Sequence, residues 1–506
     1  MGLIRRRFLV LGLDGATFDL LDPLFRAGDL PFLSGLAARG IRAPLLSVYP
    51  AKTIPAWYSF ATGLDPGELG IFGFTEPDGA PGQSRLVQSF RPAEAIWDRL
   101  SRLGRRVGVV NFPIQAPYPV HGFLLPGMFS ATSATYPRSL RAEVEGELGS
   151  PYPPEPAVFH ESERSEWIRA ATESVERRGR AASILAERHR PEFLFALFRE
   201  TDRLQHQLWD ELSRPVDEIP DDLRSFWRAT DRACASVDRA FRAAGGPAVT
   251  FVLSDHGHGR IESDFLTNRW LVEEGFLVFR DAPVGMARRL FGRFSLAAQR
   301  LPLARAVSSR IADFLREGPR AELAQLLLGD SSFEGATRQI DWERTTAYSY
   351  PVPEGIYLNP FRPELRGPAG RAVLDRLRAR LSAYPDARIE VMEPSALYRG
   401  RRFQHAPALL IRVDGMRTEP RMDFAYTQTL IRDRPPYFCG SGTHRMDGVL
   451  LAAGDGIQPG ADLGTLRLID VAPTILDGMG EPTPAEWTGR SFGARLGLSG
   501  APSTGT

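Results

Sequence analysis

Residues 8–15 form a short apolar run that ends at an acidic residue and a glycine: Phe8-Leu9-Val10-Leu11-Gly12-Leu13-Asp14-Gly15. Three more apolar runs have this character: Val107 to Val110, Phe193 to Phe198 and Val249 to Leu253. Longer segments with helical spacing lie between them, notably Arg164 to Arg190 and Leu223 to Ala244. This alternation predicts an α/β fold with a mostly parallel central sheet and helices on both faces.

Three of the four apolar runs lead to a side chain that can bind metal. Asp14 follows the first run directly, Asp202 follows the third, and Asp255-His256 follows the fourth. Ligands of open α/β sheets gather outside the carboxyl ends of the strands. We therefore expect these residues to meet at one edge of the sheet.

As signs of a metal site, Asp14 is less specific than the pair Asp255-His256. Asp14 could equally cap a helix that starts near Thr17. Asp255-His256 is the stronger signal, because two ligand types stand together at the end of an apolar strand and Gly257 lets the backbone turn sharply. Asp14, Asp255 and His256 are thus candidate metal ligands, and for Asp14 both interpretations remain open.

Two further candidates for metal ligands have ordinary explanations as well. Asp202 and His206 share one face of a helical turn, where they could clamp an ion or form a surface pair. His444 follows Gly440-Ser441-Gly442-Thr443, a flexible glycine-rich loop in which a single histidine often has no function. Together with a hydroxyl, three carboxylates and three imidazoles suit two divalent cations and phosphoryl-transfer chemistry.

Thr53 is the candidate for that hydroxyl. Pro50 and Pro55 stiffen the backbone around it and would hold a nucleophile fixed, although a threonine before a helix is also a common cap. Lys52 is the only lysine in the chain, since the other 61 of the 62 Lys and Arg residues are arginines. Its ammonium group could contact a phosphate oxygen or face the solvent.

Composition limits the cellular setting and the partners. The 506 residues carry a formal net charge of +1, which gives no electrostatic reason to expect a nucleic-acid partner. No apolar run approaches the ~18 residues of a transmembrane segment. Cys234 and Cys439 could form at most one disulfide. We expect a cytoplasmic protein.

The chain divides into a core, an insertion and a tail. Residues 1–282 and 344–495 are predicted to form the catalytic core, and 496–506 a flexible tail. Residues 283–343 are predicted to form a helical insertion or lid, which is rich in arginines: Arg288, Arg289, Arg293, Arg300, Arg305 and Arg310. A solvated outer face, a lid that brings positive charge to an anionic substrate and a membrane-contacting helix all remain open for it.

Taken in chain order, the motifs resemble one family. The matching stretches are Leu11-Gly12-Leu13-Asp14-Gly15, Pro50-Ala51-Lys52-Thr53, Ala61-Thr62-Gly63-Leu64-Asp65-Pro66, Asp202-x-x-x-His206, Ser254-Asp255-His256-Gly257, Gly442-Thr443-His444 and Asp470-Val471-Ala472-Pro473-Thr474. The set is similar to the alkaline phosphatase superfamily, in the branch of type I phosphodiesterases and nucleotide pyrophosphatases with their bacterial phosphohydrolase relatives.

The resemblance implies a hydrolase of small-molecule phosphate esters with two metal ions. Asp14, Thr53, Asp255 and His256 would bind the first ion, and Asp202, His206 and His444 the second. Thr53 would be the nucleophile and form a phosphothreonyl intermediate, with Lys52 as a further catalytic residue. Carboxylate and imidazole ligands without thiolate suit zinc best, with manganese as the alternative.

One departure from the family limits the substrate. Phe74 stands where nucleotide pyrophosphatases carry an asparagine that contacts a phosphoryl oxygen, so their nucleotide preference is not carried over. His258 is either an extra outer group of the metal site or a solvent-facing residue. A phosphomutase of the cofactor-independent phosphoglycerate mutase type and a non-catalytic protein that binds an anion or partner remain as alternatives.

Overall fold

The computed structural model describes residues 6–79, 82–87, 93–113, 116–127, 134–153, 159–280, 333–400, 402–424, 429–433 and 440–498. Within these ranges the strands are β1 (Arg7–Leu13), β2 (Ile41–Leu46), β3 (Thr75–Pro77), β4 (Ser84–Leu86), β5 (Val107–Val110), β6 (Gly122–Leu125), β7 (Phe193–Phe198), β8 (Ala248–Leu253), β9 (Gly257–Arg260), β10 (Ser263–Leu266), β11 (Ala347–Tyr348), β12 (Gly355–Leu358), β13 (Ile389–Met392), β14 (Leu409–Val413), β15 (Thr418–Arg421), β16 (Ile431–Asp433), β17 (Gly442–Arg445), β18 (Asp447–Gly454) and β19 (Leu466–Arg467). The α-helices are α1 (Phe18–Arg26), α2 (Pro31–Arg39), α3 (Thr53–Thr62), α4 (Pro66–Leu69), α5 (Ile96–Arg102), α6 (Leu140–Leu148), α7 (Arg164–His189), α8 (Glu200–Leu212), α9 (Asp221–Ala243), α10 (Thr267–Glu273), α11 (Phe333–Ala336), α12 (Pro368–Ser382), α13 (Pro394–Leu397), α14 (Val471–Met479) and α15 (Gly493–Leu496).

The central sheet has eight strands in the order β19-β2-β18-β8-β1-β7-β5-β6. The five strands from β8 to β6 run parallel to one another, and β18 is antiparallel to both of its neighbours. Helices α3, α5 and α14 pack on one face, and α1, α2 and α6 to α9 on the other. The predicted α/β fold with a mostly parallel central sheet is confirmed.

The parallel strands are apolar throughout because both of their faces are buried. In β1, Phe8 and Val10 belong to the core on one side of the sheet, and Leu9 and Leu11 to the core on the other side. All six residues of β7 and of β8 are buried as well. A continuous apolar run is therefore the correct signature of these strands.

The register of the sheet sets the position of the candidate site. Gly12 of β1 lies opposite Leu197 of β7 on one side and Leu253 of β8 on the other. The carboxyl ends of these three parallel strands are therefore level. The segments that carry Asp14, Asp202 and Asp255 leave the sheet at the same edge.

A second sheet of seven strands was not predicted. Its order is β11-β12-β14-β15-β10-β16, with β13 beside β14, and most of its pairings are antiparallel. It has its own apolar core, which includes Ile356 and Leu409. Its strands have only two to five residues each, so their alternation was too short to recognise.

The predicted insertion and tail fall largely outside the described residues. Residues 281–332, with all six arginines named above, and residues 499–506 are not described. In the remainder of these segments, Phe333 packs in the core of the second sheet, and Leu496 and Leu498 pack in the core of the central sheet. Residues 496–498 are thus part of the folded core and not of a flexible tail.

The described part of the chain contains one of the two cysteines and can be searched for helices that could cross a membrane. Cys234 is buried, while Cys439 lies outside the described residues. Among the helices that the structure describes, none combines the length and the apolar character needed to cross a membrane.

Packing of α7 on α9 gives a test of the fold. A Cβ added to Gly179 of α7 would lie 2.6 Å from Ala233 Cβ of α9, whereas Gly146 in α6 has open space around it. We expect Gly179→Ala to lower the free energy of unfolding by about 1–3 kcal/mol through overpacking. Gly146→Ala, the matched control, should raise it by about 0.5–1 kcal/mol. Urea unfolding measures both; equal effects would contradict the described packing.

Candidate active site

The first cluster of candidate ligands consists of Asp14, Asp255 and His256. All three side chains are fully buried, and one ligand atom from each lies within 4.8 Å of the other two. His256 Nε2 is 3.3 Å from Asp255 Oδ2 and 3.6 Å from Asp14 Oδ1. The ends of β1 and β8 therefore bring two carboxylates and one imidazole around a common point.

Each carboxylate of this cluster has one oxygen satisfied by the protein and one left over. Trp57 Nε1 donates to Asp14 Oδ2 at 3.1 Å, and the Gly15 amide donates to Asp255 Oδ1 at 3.2 Å. Asp14 Oδ1, Asp255 Oδ2 and His256 Nε2 are buried and have no hydrogen bond within the described part of the chain. Buried polar atoms rarely lack a partner, so this donor set fits a cation.

The second cluster consists of Asp202, His206, His258 and His444. One oxygen, Asp202 Oδ1, lies 3.3 Å from His206 Nε2, 3.6 Å from His258 Nε2 and 3.5 Å from His444 Nε2. Asp202 is 4% exposed, so it is not a surface residue of α8. Three imidazole nitrogens and a carboxylate oxygen are a typical donor set for zinc.

Two histidines occupy places that differ from those predicted. His444 lies on strand β17, which pairs with β9, and not in a flexible loop. His258 of β9 stands directly opposite His444 and is 1% exposed, so its solvent-facing interpretation was wrong. The antiparallel pairing of β9 with β17, which lie far apart in the chain, places both rings in the second cluster.

Backbone carbonyls orient the rings of His206 and His256. His206 Nδ1 lies 3.0 Å from the Gly442 carbonyl oxygen, and His256 Nδ1 lies 3.1 Å from that of Gly257. A carbonyl oxygen can only accept, so each Nδ1 carries the hydrogen that it donates. The Nε2 atom of each ring then faces a carboxylate, as in a ligand imidazole, and Nε2 of His206 also lies 2.9 Å from Nε2 of His444.

Both clusters belong to one continuous site. The ring of His256, from the first cluster, and the ring of His444, from the second, have centroids 3.9 Å apart. Asp202 of the second cluster also raises the pKa of Asp255, after the larger effect of burial. Two cations held by the two clusters would therefore be neighbours.

Removal from water changes the pKa values of the site. Burial, and then the charges of Asp255 and Asp202, hold the pKa of Asp14 well above its usual value. Burial raises the pKa of Asp255 to about 8, and it lowers the pKa values of His258 and His444 far below that of an exposed imidazole. Burial opposes the charges of Asp202 and His206 too, but His206 holds the pKa of Asp202 well below its usual value and Asp202 raises the pKa of His206. The first cluster thus resists negative charge, and bound cations would compensate its carboxylates.

Thr53 lies at the start of α3 and is 2% exposed. It lines a cavity of about 410 Å³, whose wall also includes Asp202, His206 and His444. Trp57 lies one helical turn after Thr53 and bonds to Asp14, so α3 connects the hydroxyl to the first cluster.

The ammonium group of Lys52 is paired and lies at the wall of this cavity. Its Nζ is 2.9 Å from Glu354 Oε1 and 3.8 Å from Glu419 Oε1, and its side chain is 15% exposed. Burial opposes the charge, but the two carboxylates raise the pKa of Lys52 above its usual value. The solvent-facing interpretation of Lys52 is excluded, and its charge is balanced by the second sheet.

Sequence reasoning missed two arginines in the cavity wall, Arg199 and Arg203. Arg199 directly follows β7, and Arg203 directly follows Asp202. Their position after a strand that leads to a ligand was the signal that could have identified them. Two apolar residues, Phe72 and Phe74, also line this wall.

The fold and this site define the class of protein, an α/β phosphoester hydrolase of the alkaline phosphatase superfamily. The chain belongs to the type I phosphodiesterase / nucleotide pyrophosphatase family, which matches residues 8–325. Comparison with curated protein sequences gives no match.

Two solved structures share the fold. The phosphonoacetate hydrolase from Sinorhizobium meliloti 1021, in complex with phosphonoformate, is 15% identical with a TM-score of 0.54, over 93% of this chain and 95% of that one. The murine ectonucleotide pyrophosphatase / phosphodiesterase 5 is 13% identical with a TM-score of 0.50, over 95% of this chain and 96% of that one. At these identities the likeness establishes the architecture.

The pKa of Asp255 predicts a pH dependence of the metal-free protein. Its value in the folded state, about 8, lies above its usual 3.8, so its contribution to stability is present at low pH and is lost as the pH rises through 8. We expect wild type to lose stability relative to Asp255→Asn between pH 4 and pH 9, by at least about 1 kcal/mol. Urea unfolding in a chelator gives this difference.

An exposed carboxylate outside both clusters supplies the control for this measurement. Asp217→Asn should follow the pH profile of wild type. Parallel profiles for wild type and Asp255→Asn would contradict the assignment of Asp255 to a desolvated, carboxylate-rich site.

Proposed function

We propose that this protein hydrolyses phosphate esters with two divalent ions and a phosphothreonyl intermediate on Thr53. The observation that carries the proposal is the convergence of two groups of ligand atoms on adjacent points beside a cavity that Thr53 lines. Five of these atoms are buried and have no hydrogen bond in the described part of the chain: Asp14 Oδ1, Asp255 Oδ2, His256 Nε2, Asp202 Oδ1 and His258 Nε2. A structural salt bridge would pair such atoms with arginine or lysine. Here they face one another, which requires protons or cations between them.

The two clusters divide the ions between them. Asp14, Asp255 and His256 would hold the first ion together with Thr53. The second would be held by Asp202, His206 and His444. When bound, the ions supply positive charge that stabilises the attacking and leaving oxygens of an in-line displacement. Carboxylate and imidazole donors without thiolate favour zinc, with manganese as the alternative.

Thr53 acts as the nucleophile in this proposal. Its Oγ1 attacks phosphorus, the alcohol leaves with the hydroxyl proton of Thr53, and water then hydrolyses the phosphothreonyl ester to restore the hydroxyl. The helix α3 begins at Thr53, so its positive N-terminal end lies beside the developing phosphate charge. The ten-residue helix is buried along its whole length, which fixes the hydroxyl in place.

The cavity wall suggests the kind of ester. Arg199 and Arg203 offer hydrogen-bond donors to non-bridging phosphate oxygens, whereas Phe72, Phe74 and Val352 offer an apolar surface. The substrate is therefore an ester of phosphoric acid, or a phosphonate, whose organic part is apolar next to the phosphorus. Phe74 cannot supply the amide donor that a nucleotide-specific relative would use, so nucleotides are poor substrates.

The nucleophile can be tested with p-nitrophenyl phosphate and bis-(p-nitrophenyl) phosphate in the presence of Zn²⁺. Thr53→Ala should reduce p-nitrophenol release by at least about 10³-fold, as the loss of a catalytic nucleophile does in other hydrolases. Thr53→Ser keeps a hydroxyl and should retain measurable turnover. Thr172→Ala, a partly exposed threonine of α7, is the control and should match wild type. Full activity of Thr53→Ala would exclude Thr53 as the nucleophile.

For Lys52 we propose a positioning role, exerted through its ion pair with Glu354. The pair joins the residue before Thr53 to the second sheet, and both side chains are mostly buried. Because two carboxylates already balance the ammonium, it adds little positive charge to the cavity. Its main effect is to hold the start of α3 in position.

A double-mutant cycle separates positioning from direct contact with phosphate. Lys52→Met should lower the free energy of unfolding by about 3 kcal/mol, because it leaves Glu354 buried without its partner, and should also reduce kcat. Lys52→Met combined with Glu354→Gln should restore most of the lost stability and most of the lost kcat. Arg169→Met, which breaks an exposed pair, should change stability by less than about 1 kcal/mol. A double variant that is stable but inactive would show instead that Lys52 contacts the phosphate.

A further inference from the structure

His258 has the environment of a metal ligand and lies in the second cluster. It is 1% exposed, and its Nε2 atom lies 3.6 Å from Asp202 Oδ1. The same oxygen has His206 Nε2 and His444 Nε2 at comparable distances. The Nε2 atom of His258 has no hydrogen bond within the described residues. His258 Nε2 thus approaches the same carboxylate oxygen as the Nε2 atoms of His206 and His444.

The ring of His258 is held in the tautomer that a ligand needs. Its Nδ1 atom lies 3.2 Å from the carbonyl oxygen of Gly15, which can only accept a hydrogen bond. Nδ1 therefore carries the hydrogen, and the lone pair is on Nε2, toward Asp202. The same arrangement orients His206, through the carbonyl of Gly442. Such outer contacts fix ligand histidines in metal sites.

Packing leaves the ring of His258 little room to turn away. A Cβ added to Gly15 would come within 2.4 Å of His258 Nδ1, so the backbone touches the ring closely. The ring of His206 meets it edge-on at 4.6 Å, and the indole of Trp209 lies nearly parallel to it at 6.3 Å. Nε2 is therefore directed into the cluster before any ion binds.

We propose that His258 is a fourth protein ligand of the second ion, beside Asp202, His206 and His444. This inference rests on the proposed two-ion function and adds a residue to it. The second ion would then have three imidazole nitrogens and one carboxylate oxygen, as many protein ligands as a structural zinc site. The first ion would keep three protein ligands and Thr53. The second site would thus be the tighter one and the more selective for zinc over manganese.

The alternative explanation is that His258 only fills space between β9 and α8. His258→Phe separates the two, because phenylalanine keeps the ring and removes both nitrogens. His206→Phe is the positive control for loss of the second ion. His160→Phe is the matched negative control, since His160 is exposed and outside both clusters. Circular dichroism of the metal-free proteins checks that each variant folds.

Zinc stoichiometry and affinity provide the main measurement, by competition with a chromophoric chelator and elemental analysis. Wild type and His160→Phe should bind two ions per chain. His258→Phe should bind one ion as tightly as wild type and the other at least about 100-fold more weakly, and the same result is expected for His206→Phe. If His258→Phe binds both ions with a loss of less than about 100-fold, the proposal is wrong. Fewer than two ions in wild type would instead overturn the proposed two-ion function itself.

X-ray absorption of the zinc-loaded wild type gives a second test that needs no variant. With His258 as a ligand, the four clustered histidines serve two ions, a mean of two imidazoles per zinc. Without it the mean is one and a half. The imidazole scattering should give a mean of two, and the lower value would overturn the proposal even if His258→Phe failed to fold.

Discussion

The structure depends on three carboxylates that are removed from water at one edge of a parallel sheet. Asp14 and Asp255 are fully buried and Asp202 is 4% exposed, and all three follow adjacent strands whose ends are level. An ionised carboxylate without compensation is costly in such a place. Ionised Asp14 and Asp255 are therefore unfavourable here without a positive charge beside them. Cations bound here would neutralise charges that the chain has already brought together, so in the proposed function their binding is coupled to the folding of this edge.

Gly15 shows how closely the two clusters are coupled. Its amide donates to Asp255 of the first cluster, and its carbonyl accepts from His258 of the second and from Gln205. The residue has a φ of 68°, which glycine adopts without strain, and an added Cβ would collide with the ring of His258. The Gly in Asp14-Gly15 is thus required for two reasons, conformation and close approach. Through its N–H and its carbonyl, Gly15 fixes the two clusters relative to each other.

The sequence predicts the elements whose pattern is local. It does not predict those that depend on the pairing of segments far apart in the chain. Strands β5 and β7 have the predicted limits, since a run buried on both faces is apolar at every position. The place of His258 was not predictable, because it follows from the register of β9 with β17, two segments far apart in the chain. The partners of Lys52 were hidden for the same reason, since Glu354 directly precedes β12 and Glu419 lies in β15, two short strands of the second sheet that carry little periodicity. Local pattern located the ligands, and long-range pairing decided which of them meet.

The second sheet contacts the segment before Thr53 and contributes to the cavity wall. The segment before Thr53 is held from that side: Tyr49 donates its hydroxyl to the Ile411 carbonyl, and Tyr398 donates to the carbonyl of Tyr49. From the other side, Trp57 holds α3 against Asp14 and the central sheet. Thr53 thus stands between the two sheets, with the two clusters beside the central sheet and part of the cavity wall, including Val352, beside the second sheet. In the proposed reaction a change at Val352 would alter which ester fits without moving a residue of either cluster, whereas Arg199 and Arg203 lie on the central-sheet side of the wall, beside Asp202.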